Sequence, residues 1–194
     1  MPAACRRKEK EKNHMNKTIV AYRSKTGYTQ KYARRLAEEL GCDCIENPSL
    51  STLLAYDTIL YGGGLYIGKI NGIGLVTKNF HQLRDKRLIV FAVGISPGRK
   101  DELETLWKNN LPEKEMTERI QTFYLRGGFD YHKLSLKNKF LMYGLKKMHL
   151  EKIKNPTEDD KGMLAMYDIP QDFTDLQMLG PILQLLTHPN ASPH

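Results

Sequence analysis

Residues 24–29, Ser-Lys-Thr-Gly-Tyr-Thr, place three aliphatic hydroxyls, one ammonium and a glycine in six consecutive positions. They stand between a β-branched apolar run, Lys17–Tyr22, and a stretch of helical period, Tyr28–Leu40. The first N–H groups of a helix have no acceptor within it, and the macrodipole there favours negative charge. Hydroxyls and N–H groups converging at that point form a cradle for phosphate. Helix-end effects are worth roughly 0.3–1 kcal/mol each, so a ligand held by the cradle alone binds weakly and must gain contacts elsewhere. The plainer alternative is that a hydroxyl merely caps the helix. Capping needs one hydroxyl, and this loop carries three with a glycine among them.

Two further loops could supply the missing contacts. Gly62–Gly68 (Gly-Gly-Gly-Leu-Tyr-Ile-Gly) lets backbone approach a flat ligand, because glycine has no side chain. Tyr66 could stack on such a ligand for roughly 0.5–1.5 kcal/mol. The alternative is a plain glycine loop with Tyr66 packed on the core. Gly94–Gly98 (Gly-Ile-Ser-Pro-Gly) could offer main-chain donors to a ring edge, and by itself it is no more than a turn.

Other phosphate chemistries are excluded by what is missing. No GxxxxGK[ST] motif occurs, and no GxGxxG follows the first strand. A phosphoacceptor domain needs a carboxylate pair at that strand's end, and a cysteine phosphatase needs a Cys; Ala21-Tyr22-Arg23 stands there instead. The six histidines are scattered, and no metal-ligand spacing is found. No nucleophile–base pair is visible, so no catalytic side chain is assigned, which fits chemistry carried by a cofactor. Cys42 and Cys44 alternate on a short strand, and both read as packing residues.

These loops must be held by a scaffold. Strands are predicted at Lys17–Tyr22, Cys42–Glu46, Tyr56–Tyr61, Arg87–Val93 and Arg119–Leu125. Helices are predicted at Tyr28–Leu40, Ile70–Leu83, Lys100–Asn109 and Gln171–Leu186, the last weakened at Gly180-Pro181. Five alternations of strand and helix predict an open, doubly wound parallel sheet with helices on both faces. In such sheets ligands bind at the carboxyl ends of the strands, where the three loops lie.

The chain has 194 residues, 40% of them hydrophobic and 27% charged. That suits one globular domain of ordinary composition. Three cysteines make no disulfide framework, and no apolar window is long enough to span a bilayer. A cytoplasmic protein is expected. The net charge of +8 is concentrated: residues 1–14 hold five basic against two acidic residues, and 131–154 hold seven lysines against Glu151. The rest is close to neutral, which argues against a nucleic-acid-binding fold. Residues 1–14 read as a disordered basic tail, 15–188 as one domain and 189–194 as a C-terminal tail.

The run Val20–Thr29 resembles the phosphate loop of flavodoxins, [ST]xTGxT, and Asp57–Gly68 resembles their second flavin loop. Within that superfamily the chain looks closest to the menaquinone-dependent protoporphyrinogen oxidase branch, through Tyr124–Tyr131 and Phe140–Met148. The resemblance implies a flavodoxin-like, five-stranded sheet of order 2-1-3-4-5 with a basic helical insertion after strand 5, and noncovalent FMN. By position, Ser24, Lys25, Thr26, Gly27, Tyr28 and Thr29 would hold the phosphate. Gly63, Gly64, Leu65 and Tyr66 would face the ring system from one side, and Gly94, Ile95 and Ser96 from the other. Two departures stand out: Lys25 is a cation where neutral groups are common, and the third loop has no aromatic of its own.

The function so implied is an FMN oxidoreductase or electron-transfer protein, passing electrons to a quinone or a redox partner protein. The alternatives are a non-catalytic shuttle and a flavin-free interaction module. In the basic segment, Leu134, Leu141, Leu145 and Met148 form one helical stripe, and Leu136, Phe140, Tyr143 and Leu150 form a second bordered by lysines. A lysine-flanked apolar face suits a membrane surface, an oligomer or protein interface, or a fold-back onto the core.

Overall fold

The computed structural model describes residues 17–131, 136, 139, 144 and 170–187. The basic tail at 1–14, the C-terminal tail at 189–194 and nearly all of the basic segment lie outside these. Five parallel strands form the sheet: β1 (Thr18–Arg23), β2 (Asp43–Glu46), β3 (Thr58–Tyr66), β5 (Arg87–Gly94) and β6 (Gln121–Arg126), in the order β2-β1-β3-β5-β6. Counted as five strands, this is the expected 2-1-3-4-5 order of a flavodoxin-like α/β fold. A two-residue strand, β4 (Lys69–Ile70), folds back antiparallel on Leu65–Tyr66.

Strand alternation sorts the core into two layers. Ile19, Ala21, Ile59, Tyr61, Val90 and Ala92 face one side, packed under α3 (Gly74–Thr77), α4 (Phe80–Leu83), α5 (Lys100–Asn110) and α6 (Lys114–Arg119). Val20, Leu60, Ile89, Phe91 and Val93 face the other, under α1 (Tyr28–Leu40) and α7 (Gly180–Thr187). A short helix, α2 (Leu50–Leu54), follows β2 and is capped by Ser49, whose hydroxyl accepts from Thr52 N–H.

Three sequence expectations are corrected. The glycine run is not a loop. β3 continues through Gly62–Gly64 to Tyr66, and a Cβ on Gly62 would lie 2.1 Å from the Phe91 ring. The neighbouring strand's aromatic occupies the space that glycine leaves. The helix expected over Ile70–Leu83 is a hairpin return followed by the two single turns α3 and α4, because Gly72 takes a left-handed conformation (φ 77°) against Tyr61. The helix expected over Gln171–Leu186 is a strand, β8 (Gln171–Asp172), a 3-10 turn at Leu176–Leu179, and α7. Gly180-Pro181 opens α7 instead of weakening it, since proline suits the first helical turn.

β8 pairs antiparallel with β7 (Gly128–Phe129), just beyond β6. Of the two β2 cysteines, Cys42 packs under α1, and burial pushes its thiol up to about 11. Cys44 is exposed instead of packed. Among the described residues no helix is long and apolar enough to cross a membrane, and no metal-binding cluster occurs.

Candidate functional site

The carboxyl ends of β1, β3 and β5 lie side by side, so their three following segments meet. β1 delivers the chain to Ser24, and Gly27 turns it into α1 with φ 92°, a conformation that favours glycine. Gly27 N–H donates to Ser24 Oγ at 3.1 Å. No side-chain hydrogen bond caps α1, since its N-cap residue is Gly27. The cap reading of the loop is therefore not what the geometry shows. The first-turn N–H groups of Tyr28, Thr29 and Gln30 have no acceptor within the helix. Thr26 is half-buried, Lys25 exposed and Thr29 2% exposed. Tyr28 points its side chain elsewhere: its hydroxyl donates to Gln171 O at 3.2 Å, and the Lys31 ammonium lies over its ring. Only the Tyr28 backbone belongs to the loop's concave side.

The second segment is the end of β3. A Cβ on Gly64 would sit 3.2 Å from Thr29 Oγ1, so the first and second segments abut at that glycine. The side chain that Gly63 lacks would point into Ile70 and Asn71. Beyond Tyr66 the hairpin turns through Ile67 (φ 49°) and Gly68 (φ 70°), and Ile67 is 61% exposed at the tip. The Lys25 ammonium lies 4.0 Å from the centre of the Tyr66 ring, a cation–π contact between first and second segments. The Tyr66 hydroxyl is buried with no hydrogen-bond partner among the described residues, and burial raises its pKa.

The third segment, Gly94–Ser96, is held from β6. Gly127 N–H donates to Gly94 O at 2.7 Å, Arg126 Nε to Ile95 O at 3.3 Å and Tyr124 Oη to Ser96 O at 2.7 Å. With its carbonyls engaged, the segment can present N–H donors and the Ser96 hydroxyl, which is itself bonded to Glu102. Burial, with Glu102 nearby, pushes the Tyr124 phenol up to about 12, so it stays a neutral donor. A Cβ on Gly94 would lie 2.8 Å from Leu65 and 2.7 Å from Tyr124 Oη. A cleft of about 180 Å³ opens between the second and third segments and α5, lined by Leu65, Ser96, Gly98, Glu102, Leu106 and Tyr124 among others.

The three sequence-predicted segments thus adjoin in series, Gly64 meeting Thr29, Tyr66 meeting Lys25 and Gly94 meeting Leu65. Sequence reasoning did not assign Tyr124, Arg126 or Glu102 to the site. Tyr124, on β6, lies beneath the third segment with its hydroxyl donating to Ser96 O. The available signal was the spacing of Tyr124 and Arg126, two apart on a strand and so on one face, next to the strand's carboxyl end.

A family model described as flavodoxin domain matches residues 19–155. No curated protein matches the chain. Solved structures similar to it include a flavoprotein from Bacteroides eggerthii DSM 20697 (16% identity, 66% of this chain and 94% of that one, TM-score 0.43). Oxidised flavodoxin 1 from Bacillus cereus is similar at 14% identity over 57% of this chain and 84% of that one, TM-score 0.37. A flavoprotein from Lactobacillus acidophilus NCFM, solved in complex with FMN, is similar at 16% identity over 58% and 93%, TM-score 0.36. At such identities and scores these pairs add nothing to the sheet order already described. The family match spans most of the chain and contains all three converging segments, and the protein belongs to the flavodoxin domain family.

Proposed function

We propose that the chain binds FMN at the carboxyl end of its sheet and works as an FMN-dependent oxidoreductase or electron-transfer protein. The observation that carries this reading is the open N-terminus of α1. Its donors take no side-chain cap, while the hydroxyls of Ser24, Thr26 and Thr29 and the Lys25 ammonium stand in the same turn. A phosphate monoester, carrying about −1.5 to −2 charges, suits that set of donors. Two further features fit a flat group beside the phosphate. Gly64 has no side chain where Thr29 arrives, and Tyr66, its ring under the Lys25 ammonium, has a buried hydroxyl with no acceptor among the described residues.

In this reading Ser24, Lys25, Thr26, Thr29 and the backbone of Gly27 and Tyr28 hold the phosphate. Leu65 and Tyr66 border the ring system on one side, with Gly63 and Gly64 behind them, and Gly94, Ile95 and Ser96 border it on the other. When bound, FMN supplies one- and two-electron transfer, and the protein contributes position and electrostatics. Leu65, Leu106 and Tyr124 keep water from the inner wall of the cleft. Lys25 sets a positive charge at the mouth, which favours added negative charge within.

The finer form of the reading is electron delivery to a quinone in a protoporphyrinogen-oxidase-like reaction. It rests on the resemblance of Tyr124–Tyr131 and Phe140–Met148, while peripheral membrane contact through 131–154 rests on the lysine-flanked apolar stripe of that segment. The test begins with the untreated purified protein, whose absorbance should show flavin bands, and with FMN titration of any colourless fraction, which should saturate at one per chain. A protein that takes up no FMN in excess rejects the reading and leaves a flavin-free module. Turnover of a porphyrinogen with a menaquinone analogue separates the oxidoreductase from a non-catalytic shuttle.

A further inference from the structure

The β3–β4 hairpin carries Leu65 and Tyr66, and its turn holds a conformation that its own sequence does not favour. Ile67 stands at φ 49° and Gly68 at φ 70°. Left-handed backbone suits glycine but is costly for a β-branched residue, and it persists only where the surroundings fix it. The residues that follow Ile67 are fixed by one side chain at the end of α5. Asn110 is 3% exposed. Its Oδ1 accepts the Ile70 N–H at 2.8 Å, and its Nδ2 donates to Gly68 O at 2.9 Å and to Leu106 O at 2.8 Å. Gly68 and Ile70 are two apart in sequence, so one amide takes a donor and an acceptor that a further strand would otherwise pair. Both amide hydrogens are thereby used. Beside it, Lys69 Nζ donates to Asn109 O at 2.7 Å.

α5 also reaches the other wall of the cleft. It has eleven residues, about 16 Å of helix. In its first turn Glu102 is bonded to Ser96 Oγ of the third segment, and its last residue, Asn110, holds the second. The helix is therefore a strut between the two segments, with Leu103 and Leu106 lining the space between them. We infer that Asn110 is a positioning residue, whose carboxamide sets how far Leu65 and Tyr66 stand from the third segment and hence the fit of a flat ligand between them. That the ligand is the FMN ring system rests on the reading above; the clamp itself stands on the Asn110 geometry. An apolar group at this position leaves the Ile70 N–H and Gly68 O unpaired, and the hairpin relieves that cost only by turning them toward water.

The test uses the full chain. Asn110→Leu removes all three side-chain bonds, and Asn110→Asp keeps only the acceptor for the Ile70 N–H. In the flavin-free protein, Asn110→Leu should speed amide exchange at Ile70 by about tenfold or more and should shift the Leu65 methyl resonances in NMR. With flavin, it should weaken FMN and riboflavin by one common factor, about tenfold, and move the midpoint potential of bound FMN. Asn110→Asp should fall between it and the unaltered chain. Leu83→Ala, a truncation of a fully buried side chain on α4, is the destabilised control and should leave flavin affinity and potential level. Unchanged exchange at Ile70 or unmoved Leu65 methyls overturn the clamp. A loss confined to FMN, a flavin affinity and potential that stay level, or an equal loss in Leu83→Ala overturns the positioning role. If Asn110→Leu does not fold, Asn110→Asp decides by the same measures. An unaltered chain that takes no flavin, while its Ile70 exchange and Leu65 methyls still respond to Asn110, overturns the redox reading alone.

Discussion

The first and third segments of the site are built in opposite ways. The phosphate loop is local: Ser24 receives the Gly27 N–H three residues on, and α1's own first turn supplies the open donors. The third segment holds none of its backbone acceptors by itself. Its three carbonyls are taken by Tyr124, Arg126 and Gly127, some thirty residues away on a different strand. One half of the site is thus shaped by neighbours in sequence, and the other by an edge strand acting as a splint. A group whose phosphate sits in the first and whose ring borders the third would report on each separately.

The largest effect should come from the local half. Thr26→Val with Thr29→Val removes two hydroxyl donors to a charged group, each worth about 1.5–3 kcal/mol. FMN affinity should fall by about two to four orders of magnitude, whereas riboflavin, lacking the phosphate, should bind as before. Fluorescence titration of both flavins checks this, and an equal loss for the two would erase the division between the halves. Tyr124→Phe addresses the splint. Losing the bond to Ser96 O costs about 1 kcal/mol, and FMN and riboflavin should both weaken about fivefold, with no preference between them.

A smaller effect is expected at the strap that backs α1. Burial alone would raise the Asp172 carboxyl, but the Lys31 ammonium and Thr174 N–H hold it down at about 2. A carboxyl depressed by folding stabilises the fold above its unfolded pKa, near 3.8, and loses that contribution as pH falls toward 2. The pair is half exposed, so Asp172→Asn should cost under about 1 kcal/mol at pH 7. Thermal melts of both proteins should converge near pH 2; a gap that widens on acidification contradicts the assignment. An effect of similar size, on the cofactor and not on the fold, belongs to Lys25→Gln. Removing that charge should lower the two-electron potential of bound FMN by about 20 mV, the equivalent of about 1 kcal/mol, and salt should shrink the difference. An unchanged or raised potential in spectroelectrochemistry places the ammonium away from the cofactor.

The same contrast explains what could be read from the residues in advance. α1 was legible from Tyr28 to Leu40, because its apolar spacing and the stop at Gly41 are local signals. The order of the sheet followed from alternating elements. Gly62–Gly64 misled because three glycines in a row look like a loop, and what makes them strand is Phe91, which fills their missing volume from the neighbouring strand. The β3–β4 hairpin gave no warning either. Its turn takes Ile67 and Gly68 through left-handed angles, where Asn-Gly would have been the recognisable pair. Asn110 and the hairpin that it holds lie far apart in the chain, and no spacing rule joins them.

The pairing of β7 with β8 has a consequence for how this domain can be altered. Gly128–Phe129 and Gln171–Asp172 are antiparallel neighbours, about 5 Å apart. Closing a detour between two such fixed points costs entropy that grows only with the logarithm of its length, about 0.6 kcal/mol per doubling. The junction works as a socket. A change in the length of chain between these two strands should therefore cost the sheet little in closure entropy.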